Sequence, residues 1–176
     1  MGERFKSLGL GHSDLVVFAG SGGRSNGVQH QNVVHIDIAE KTLRYAPGPL
    51  LANVEQLPIK GGSIAAVICV GSVVNYCDAA ATIAEFARVI RDRGTLILDF
   101  ESSDSLEFAF TSTFKSAVDL ISTFYNERRE EIWVYSLRFI EAALAASGFV
   151  VTFRFPIHIL SPLRLRFSND VAAASA

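Results

Sequence analysis

Short apolar runs, each bounded by glycine, asparagine or aspartate, recur along the first hundred residues of the chain. Four of them are rich in Val, Ile, Leu and Phe, and they cover residues 14–19, 32–37, 64–70 and 95–100. Continuous apolar runs of this length are typical of parallel strands that are covered on both faces. The pattern therefore predicts a parallel β-sheet in the interior of the protein.

Two segments carry apolar residues at helical spacing instead. In "CDAAATIAEFARVIRDRG", residues 77–94, the apolar stripe predicts a helix that Gly94 ends. In "SLRFIEAALAASG", residues 136–148, Ser136 is the expected N-cap and Gly148 the expected end. Strands that alternate with helices favour a doubly wound α/β fold.

Two further β-rich runs, 149–155 and 157–167, follow the second helix, and Pro162 interrupts the later one. A strand that carries proline belongs at the edge of a sheet or at a bulge. We therefore predict an α/β, doubly wound, mostly parallel Rossmann-like sheet of about seven strands with an antiparallel C-terminal edge. No repeat or linker interrupts the pattern, so residues 1–176 are predicted to form a single domain.

Composition narrows the class of protein. A chain of 176 residues with 49% hydrophobic and 19% charged residues suits one globular domain with a substantial core. A net charge of -2 leaves no basic surplus for nucleic acid, and no window reaches the roughly 18 apolar residues of a membrane span. The two cysteines, Cys69 and Cys77, lie in apolar surroundings and indicate a reducing compartment. We expect a cytoplasmic protein that binds neither nucleic acid nor membrane.

A glycine cluster and an acid follow the first two predicted strands. In "DLVVFAGSGGRSNGVQHQNVVHIDIAEKTLRYA", residues 14–46, Gly20, Gly22 and Gly23 follow the first run and Asp37 ends the second. Glycine permits a positive φ and lets the backbone approach a ligand closely. Ligands of doubly wound sheets bind outside the carboxyl ends of the strands, so this loop is a predicted ligand site.

Two site chemistries find no support in the spacing. A P-loop requires Lys and then Ser or Thr after Gly27, where the chain has Val28 and Gln29. Three histidines have no metal-ligand spacing with nearby cysteines or acids, so no metal is expected; they are His12, His30 and His35.

A dinucleotide fingerprint is matched only in part. Gly20 and Gly22 fit the G-x-G-x-x-G pattern, but Ser25 stands at its third glycine. Asp37 could bind a ribose in a nicotinamide protein or in an adenosylmethionine protein. The first two strands do not decide between a nicotinamide cofactor and adenosylmethionine. They also do not exclude that the glycine cluster is only a tight turn that binds no ligand.

The remainder of the chain resembles the class I S-adenosylmethionine-dependent methyltransferases, type 11 in particular. The stretch "LLANVEQLPIKGGSIAAVICVGSVVNYCD", residues 50–78, is similar to that family's short strand, adenine contact, Leu-Pro and fourth strand. The stretch "EFARVIRDRGTLILDF", residues 85–100, is similar to its helix, turn and fifth strand. The resemblance covers residues 14–100 and extends weakly through 137–149. The alternative of a nicotinamide-dependent reductase does not account for the sequence pattern after residue 50.

The resemblance implies S-adenosylmethionine as the cofactor. Asp37 would accept hydrogen bonds from both ribose hydroxyls, and Ile38 would pack on the adenine. Asn53 stands where the family often has Asp, and an amide oxygen can still accept from the adenine amino group. The residues assigned to the cofactor in this way are Gly20, Ser21, Gly22, Arg24, Asp37, Ile38, Asn53, Val54, Glu55, Val70 and Gly71.

Three features depart from the family pattern. Phe18 stands where the family usually has an acid, and Arg24 replaces its third glycine. Arg24 either pairs with the methionyl carboxylate, whose planar shape matches guanidinium, or is a solvated residue at a helix start. The chain between Gly20 and Asp37 is also too short for a loop, a full crossover helix and a strand, since a minimal crossover takes about a dozen residues. The first helix is therefore predicted to be stunted.

Residues 101–135 carry the aromatic surface that could cover a pocket. This segment is expected to form a lid on the substrate side or an interface in a homodimer, although its aromatic residues could instead be the core of one more helix. Its aromatic residues are Phe108, Phe110, Phe114, Phe124, Tyr125, Trp133 and Tyr135.

The predicted reaction is an in-line displacement at the sulfonium methyl group, with a small and partly apolar acceptor. A general base is needed only if the acceptor must lose a proton. The candidate catalytic residues are Tyr76, Glu101 and His158. The alternative hypothesis is a methyltransferase-like binding or assembly module that has lost catalysis.

Overall fold

The computed structural model describes residues 10–25, 28–125 and 127–155. The strands and α-helices of these residues are β1 (Val16–Ala19), β2 (Val33–Asp37), α1 (Glu40–Leu43), β3 (Pro49–Leu51), β4 (Ile64–Cys69), α2 (Ala79–Val89), β5 (Ile90–Leu98), β6 (Val118–Tyr125), β7 (Arg128–Tyr135) and α3 (Leu137–Ala146). Short 3-10 helices cover Val73–Tyr76 and Leu106–Phe108. Within these described ranges, no helix has the length and apolar character needed to cross a membrane.

A five-stranded parallel sheet in the order β3-β2-β1-β4-β5 forms the centre of the molecule. Strand β4 is buried along its whole length because it lies inside the sheet and is covered on both faces. On one face, Phe86 of α2 and Ile140 of α3 join the core cluster that contains Val17 and Val67. The α/β, Rossmann-like prediction is confirmed.

On the opposite face of the sheet, the described residues of the β1–β2 connection form loops rather than a crossover helix. Val28, between β1 and β2, is buried against Phe18 and Ile68, and Leu10 packs at the margin of the same cluster. No helix occurs in the described parts of this connection, residues 20–25 and 28–32. The predicted stunting of the first crossover is thus confirmed there.

The expected role of Gly94 as a helix stop is wrong. Helix α2 ends at Val89, and the chain continues directly into β5 with Ile90 in an extended conformation. The register of β5 against β4 shifts between the pairs Ile64–Ile90 and Ala66–Thr95, so residues 91–94 form a bulge. A Cβ on Gly94 would overlap the Ile90 side chain, which explains glycine at this position.

The second half of the segment 101–135, residues 118–135, forms an antiparallel hairpin rather than one more helix. Strands β6 and β7 pair from Val118–Tyr135 to Tyr125–Arg128 in a sheet of their own. The antiparallel pairing of the fold therefore lies here and not in the run 149–155, which contains no strand. The second run, 157–167, lies outside the described residues.

Helix α3 begins where its cap was predicted. Ser136 Oγ accepts a hydrogen bond from the Phe139 N–H at 3.2 Å, and Gly148 follows the helix with a φ of 84°.

Because the Ser136–Phe139 hydrogen bond satisfies an otherwise free helical N–H, Ser136→Ala should lower the free energy of unfolding by about 1 kcal/mol. Urea unfolding of the wild type and the variant measures this loss of stability. Ser147→Ala, at the other end of α3, is the control and should change stability by less than about 0.5 kcal/mol; equal losses would contradict the cap assignment.

Candidate cofactor site

The predicted site residues that the structure describes follow the carboxyl ends of the parallel strands, which meet at one edge of the sheet. The glycine loop follows β1, and Asp37 ends β2. Residues 52–55 follow β3, residues 70–72 follow β4 and residues 99–101 follow β5. The topology therefore brings five separate loops of the sequence to one edge.

The glycine loop lies against the segment that follows β4. Gly20 has a φ of 61°, and a Cβ on it would overlap the side chain of Val73. Its N–H donates to the Ile36 carbonyl at 2.8 Å, which ties the start of the loop to β2. Gly23 has a φ of 78°, and a Cβ there would lie 2.7 Å from the Thr42 carbonyl oxygen. Close backbone approach thus explains glycine at both positions.

The Asp37 carboxylate is held by two backbone amides at the mouth of the loop. One oxygen accepts from Gly22 N–H at 2.8 Å, and the other accepts from Ala39 N–H at 2.9 Å. Each carboxylate oxygen has a further lone pair, so both can still accept a ligand hydroxyl. Asp37 is not the N-cap of α1, because Ala39 occupies that position and no side chain caps the helix.

The loops after β2 and β3 form the side predicted for the adenine. Ile38 is 77% exposed and available to pack against a planar ring. Asn53 Oδ1 accepts from Glu55 N–H at 3.0 Å, and Glu55 Oε1 accepts from Asp78 N–H at 2.8 Å. The Glu55 carboxylate therefore also anchors the start of α2. The side chain of Val54 is buried.

Asp99, at the end of β5, holds the turn that follows β4. Its carboxylate accepts from Gly71 N–H at 2.8 and 3.0 Å and from Ser72 N–H at 2.8 Å. Gly71 has a φ of 93°, and a Cβ on it would meet no atom within 4 Å. The open space beside Gly71 and the half-buried Val70 leaves room for a ligand. The sequence analysis missed Asp99, although an acid near the end of the apolar run 95–100 was a usable signal.

Two of the three candidate catalytic residues lie on one flank of this edge. Glu101 Oε1 accepts from the Ser72 hydroxyl at 3.0 Å, and the Tyr76 hydroxyl donates to Glu130 Oε2 at 2.7 Å. Glu130 comes from β7 and was not predicted, since nothing in the local sequence relates the two segments. The third candidate, His158, lies outside the described residues.

Arg24 is exposed, and its backbone N–H donates to the Ser21 carbonyl at 3.0 Å. The salt bridges found among the described residues do not include it. Its guanidinium is thus accessible to a ligand carboxylate at the end of the glycine loop.

The two cysteines are free thiols, Cys69 buried and Cys77 half-buried. Burial raises the pKa of both thiols and keeps them in the neutral form. Among the described residues, no group of three His, Cys, Asp or Glu side chains could hold a metal ion.

Comparison with known proteins agrees with this geometry. Residues 15–98 match a family described as a methyltransferase domain. No curated protein matches the chain. An S-adenosylmethionine-dependent methyltransferase from Clostridium acetobutylicum ATCC 824 has a similar structure, with a TM-score of 0.61 at 16% identity over 82% of this chain and 76% of that one.

Two further similar structures have named activities. One is an S-adenosylmethionine-bound amino pentose methyltransferase from Micromonospora echinaspora, with a TM-score of 0.60 at 17% identity over 84% of this chain and 79% of that one. The other is geranyl diphosphate C-methyltransferase from Streptomyces coelicolor A3(2), with a TM-score of 0.56 at 14% identity over 85% of this chain and 59% of that one.

The fold and the site together define a class of protein. A parallel Rossmann-like sheet with a glycine loop and an acid at the end of the second strand is typical of nucleoside-binding α/β proteins. Within that class, residues 15–98 match the methyltransferase-domain family, and the fold is shared with S-adenosylmethionine-dependent methyltransferases, in agreement with the resemblance in the sequence. The cofactor that this family uses is S-adenosylmethionine.

Proposed function

We propose that this chain binds S-adenosylmethionine along the carboxyl edge of its sheet and transfers the methyl group to a small, partly apolar acceptor. The observation that carries the proposal is the Asp37 carboxylate, which two backbone amides hold beside the glycine loop with accepting capacity to spare. A fixed carboxylate at the end of the second strand is suited to the two hydroxyls of a ribose.

The surrounding residues fit the rest of the cofactor. The glycine loop, Gly20 to Gly22, lets its backbone approach the nucleoside, and exposed Ile38 offers an apolar surface to the adenine. Arg24 would pair with the methionyl carboxylate, and the space beside Gly71 would take the methionyl chain. The bound cofactor supplies a methyl group activated by the sulfonium charge, so the protein contributes mainly position and exclusion of water.

The acceptor would bind on the flank formed by Tyr76 and Glu101. If its nucleophile must lose a proton, the Glu101 carboxylate, held by Ser72, and the Tyr76–Glu130 pair are the groups placed to take it. Structural relatives whose names include an amino pentose or geranyl diphosphate act on small molecules, which supports a small acceptor.

We further propose that residues 101–135 form the acceptor side of a single domain. This segment exposes Phe110, Phe124 and Trp133, which supports a partly apolar acceptor or, as the alternative, an interface in a homodimer. Light scattering of the purified protein separates these cases. A monomer favours the acceptor-side role, and a dimer whose contact buries these aromatic residues favours the interface.

Thermal melting with S-adenosylhomocysteine tests the cofactor. A ligand at one hundred times its dissociation constant should add about 2.7 kcal/mol to the free energy of unfolding. NADH at the same concentration is the control and should leave the melting temperature unchanged. No stabilisation by either S-adenosylmethionine or S-adenosylhomocysteine would overturn the proposal. Stabilisation, without conversion of S-adenosylmethionine to S-adenosylhomocysteine when the protein is incubated with a mixture of small-molecule acceptors, would instead favour a binding module.

A further inference from the structure

A buried histidine on β2 lies directly beneath the glycine loop. His35 is 0% exposed and stands opposite Phe18 of β1 in the parallel register. The two rings stack with centroids 4.8 Å apart and planes inclined by 9°. Phe18 occupies the position where the family usually has an acid, so an aromatic pair supports the start of the loop here.

Both ring nitrogens of His35 face serine hydroxyls of the loop. Nδ1 lies 2.9 Å from Ser21 Oγ, and Nε2 lies 3.4 Å from Ser25 Oγ, which is longer than a usual hydrogen bond. Ser21 Oγ also accepts from Gly23 N–H at 3.2 Å, so its own proton is free to point to Nδ1. In a neutral imidazole with its proton on Nε2, Nδ1 would accept the Ser21 hydroxyl proton.

The neutral form also suits the environment of the ring. Burial lowers the pKa of His35, since a charged imidazolium would lose its hydration there. The side chains of His35 and Asp37 lie on the same face of β2, because alternate residues of a strand share a face. His35 contacts Ser21 while Asp37 accepts from Gly22 N–H, so β2 holds two consecutive residues of the loop.

We propose that His35 is a positioning residue that acts through Ser21 to set the loop conformation in which the cofactor binds. The inference rests on the proposed S-adenosylmethionine site and adds a residue to it. If His35 served only to fill the core beneath the loop, an aromatic ring of similar size would replace it without loss of affinity.

Two substitutions separate positioning from packing. His35→Phe keeps the stack on Phe18 and removes both nitrogens, and His35→Asn returns a polar atom near the position of Nδ1. Calorimetric titration with S-adenosylhomocysteine should show about tenfold weaker binding for His35→Phe, since one hydrogen bond of the loop is lost. His35→Asn should recover affinity to within about threefold of the wild type.

The outcomes are distinct. No binding by the wild type overturns the proposed function and this inference with it. Wild-type binding that His35→Phe retains in full, or a loss that His35→Asn does not recover, overturns the inference alone.

A second measurement covers the case in which the substituted core does not fold. Nitrogen NMR of the wild-type histidine rings at neutral pH should show His35 with its proton on Nε2 and with Nδ1 accepting. Ser21→Ala, which leaves the core intact, should weaken S-adenosylhomocysteine by the same factor of about ten. A proton on Nδ1, or unchanged affinity in Ser21→Ala, would overturn the inference.

Discussion

Replacing Asp37 by alanine should weaken the binding of S-adenosylhomocysteine by about a hundredfold. A carboxylate that accepts from two ribose hydroxyls makes two charge-assisted hydrogen bonds, each contributing at least about 1.5 kcal/mol, and about 1.4 kcal/mol corresponds to a factor of ten. The same substitution leaves Gly22 N–H and Ala39 N–H without their acceptor. Loss of the loop anchor and loss of the ribose contact therefore act in the same direction. Calorimetric titration measures the combined effect.

Controls separate the two contributions. Asp37→Asn keeps one accepting oxygen and removes the charge, so its affinity should fall between those of the wild type and Asp37→Ala. Asp92→Ala, on the exposed bulge of β5, removes a carboxylate far from the loop and should leave affinity within about twofold. Because Asp37 also anchors the loop, the ligand-free Asp37→Ala protein should melt at a lower temperature. A lower melting temperature with unchanged affinity would contradict the ribose assignment.

Replacing Asn75 by alanine should lower the free energy of unfolding by about 3 kcal/mol. Asn75 is 0% exposed, and its amide joins the segment after β4 to the end of β5 and to the hairpin. Oδ1 accepts from Glu101 N–H at 2.8 Å, while Nδ2 donates to the carbonyls of Glu101 at 3.1 Å and Trp133 at 2.6 Å. Without the amide, these buried backbone groups lose their partners, at a cost of about 1 to 3 kcal/mol each before relaxation.

Urea unfolding of Asn75→Ala and of a matched variant decides this. Asn32 is exposed, and its side chain donates one hydrogen bond to the Ser13 carbonyl. Asn32→Ala should therefore cost less than about 1 kcal/mol. Similar losses for both variants would mean that the Asn75 amide does not hold the hairpin against the sheet. An Asn75→Ala protein that is as stable as the wild type would also contradict the proposed role of the Asn75 amide.

Local pattern was sufficient to predict the elements whose formation depends on near neighbours. The apolar runs predicted the strands β1, β2 and β4 to within about two residues, because a strand buried on both faces must be continuously apolar. Ser136 predicted the start of α3, since an N-cap bonds within its own helical turn. The loop that carries Gly20 and the position of Asp37 followed from the same parallel order, in which the carboxyl ends of strands share one edge.

Contacts between segments distant in the sequence required the tertiary structure. The β6–β7 hairpin could not be distinguished from a helix, because its cross-strand pairs and the fit of its buried face against residues 73–76 appear only after folding. The local sequence around Gly94 predicts the end of a helix, and only the register of β5 against β4 shows that this glycine belongs to a bulge.

The same distinction applies within the site. The sequence by itself determined the fold class and the residues that parallel strands carry to their carboxyl edge. Only the tertiary structure determined which partners hold those residues in place. Asp99 holds Gly71, Glu130 holds Tyr76, and His35 holds Ser21. A hydrogen bond depends on a separation of about 3 Å between two groups. For residues from different strands and loops, that separation is set by sheet order, register and packing together, and by no local pattern.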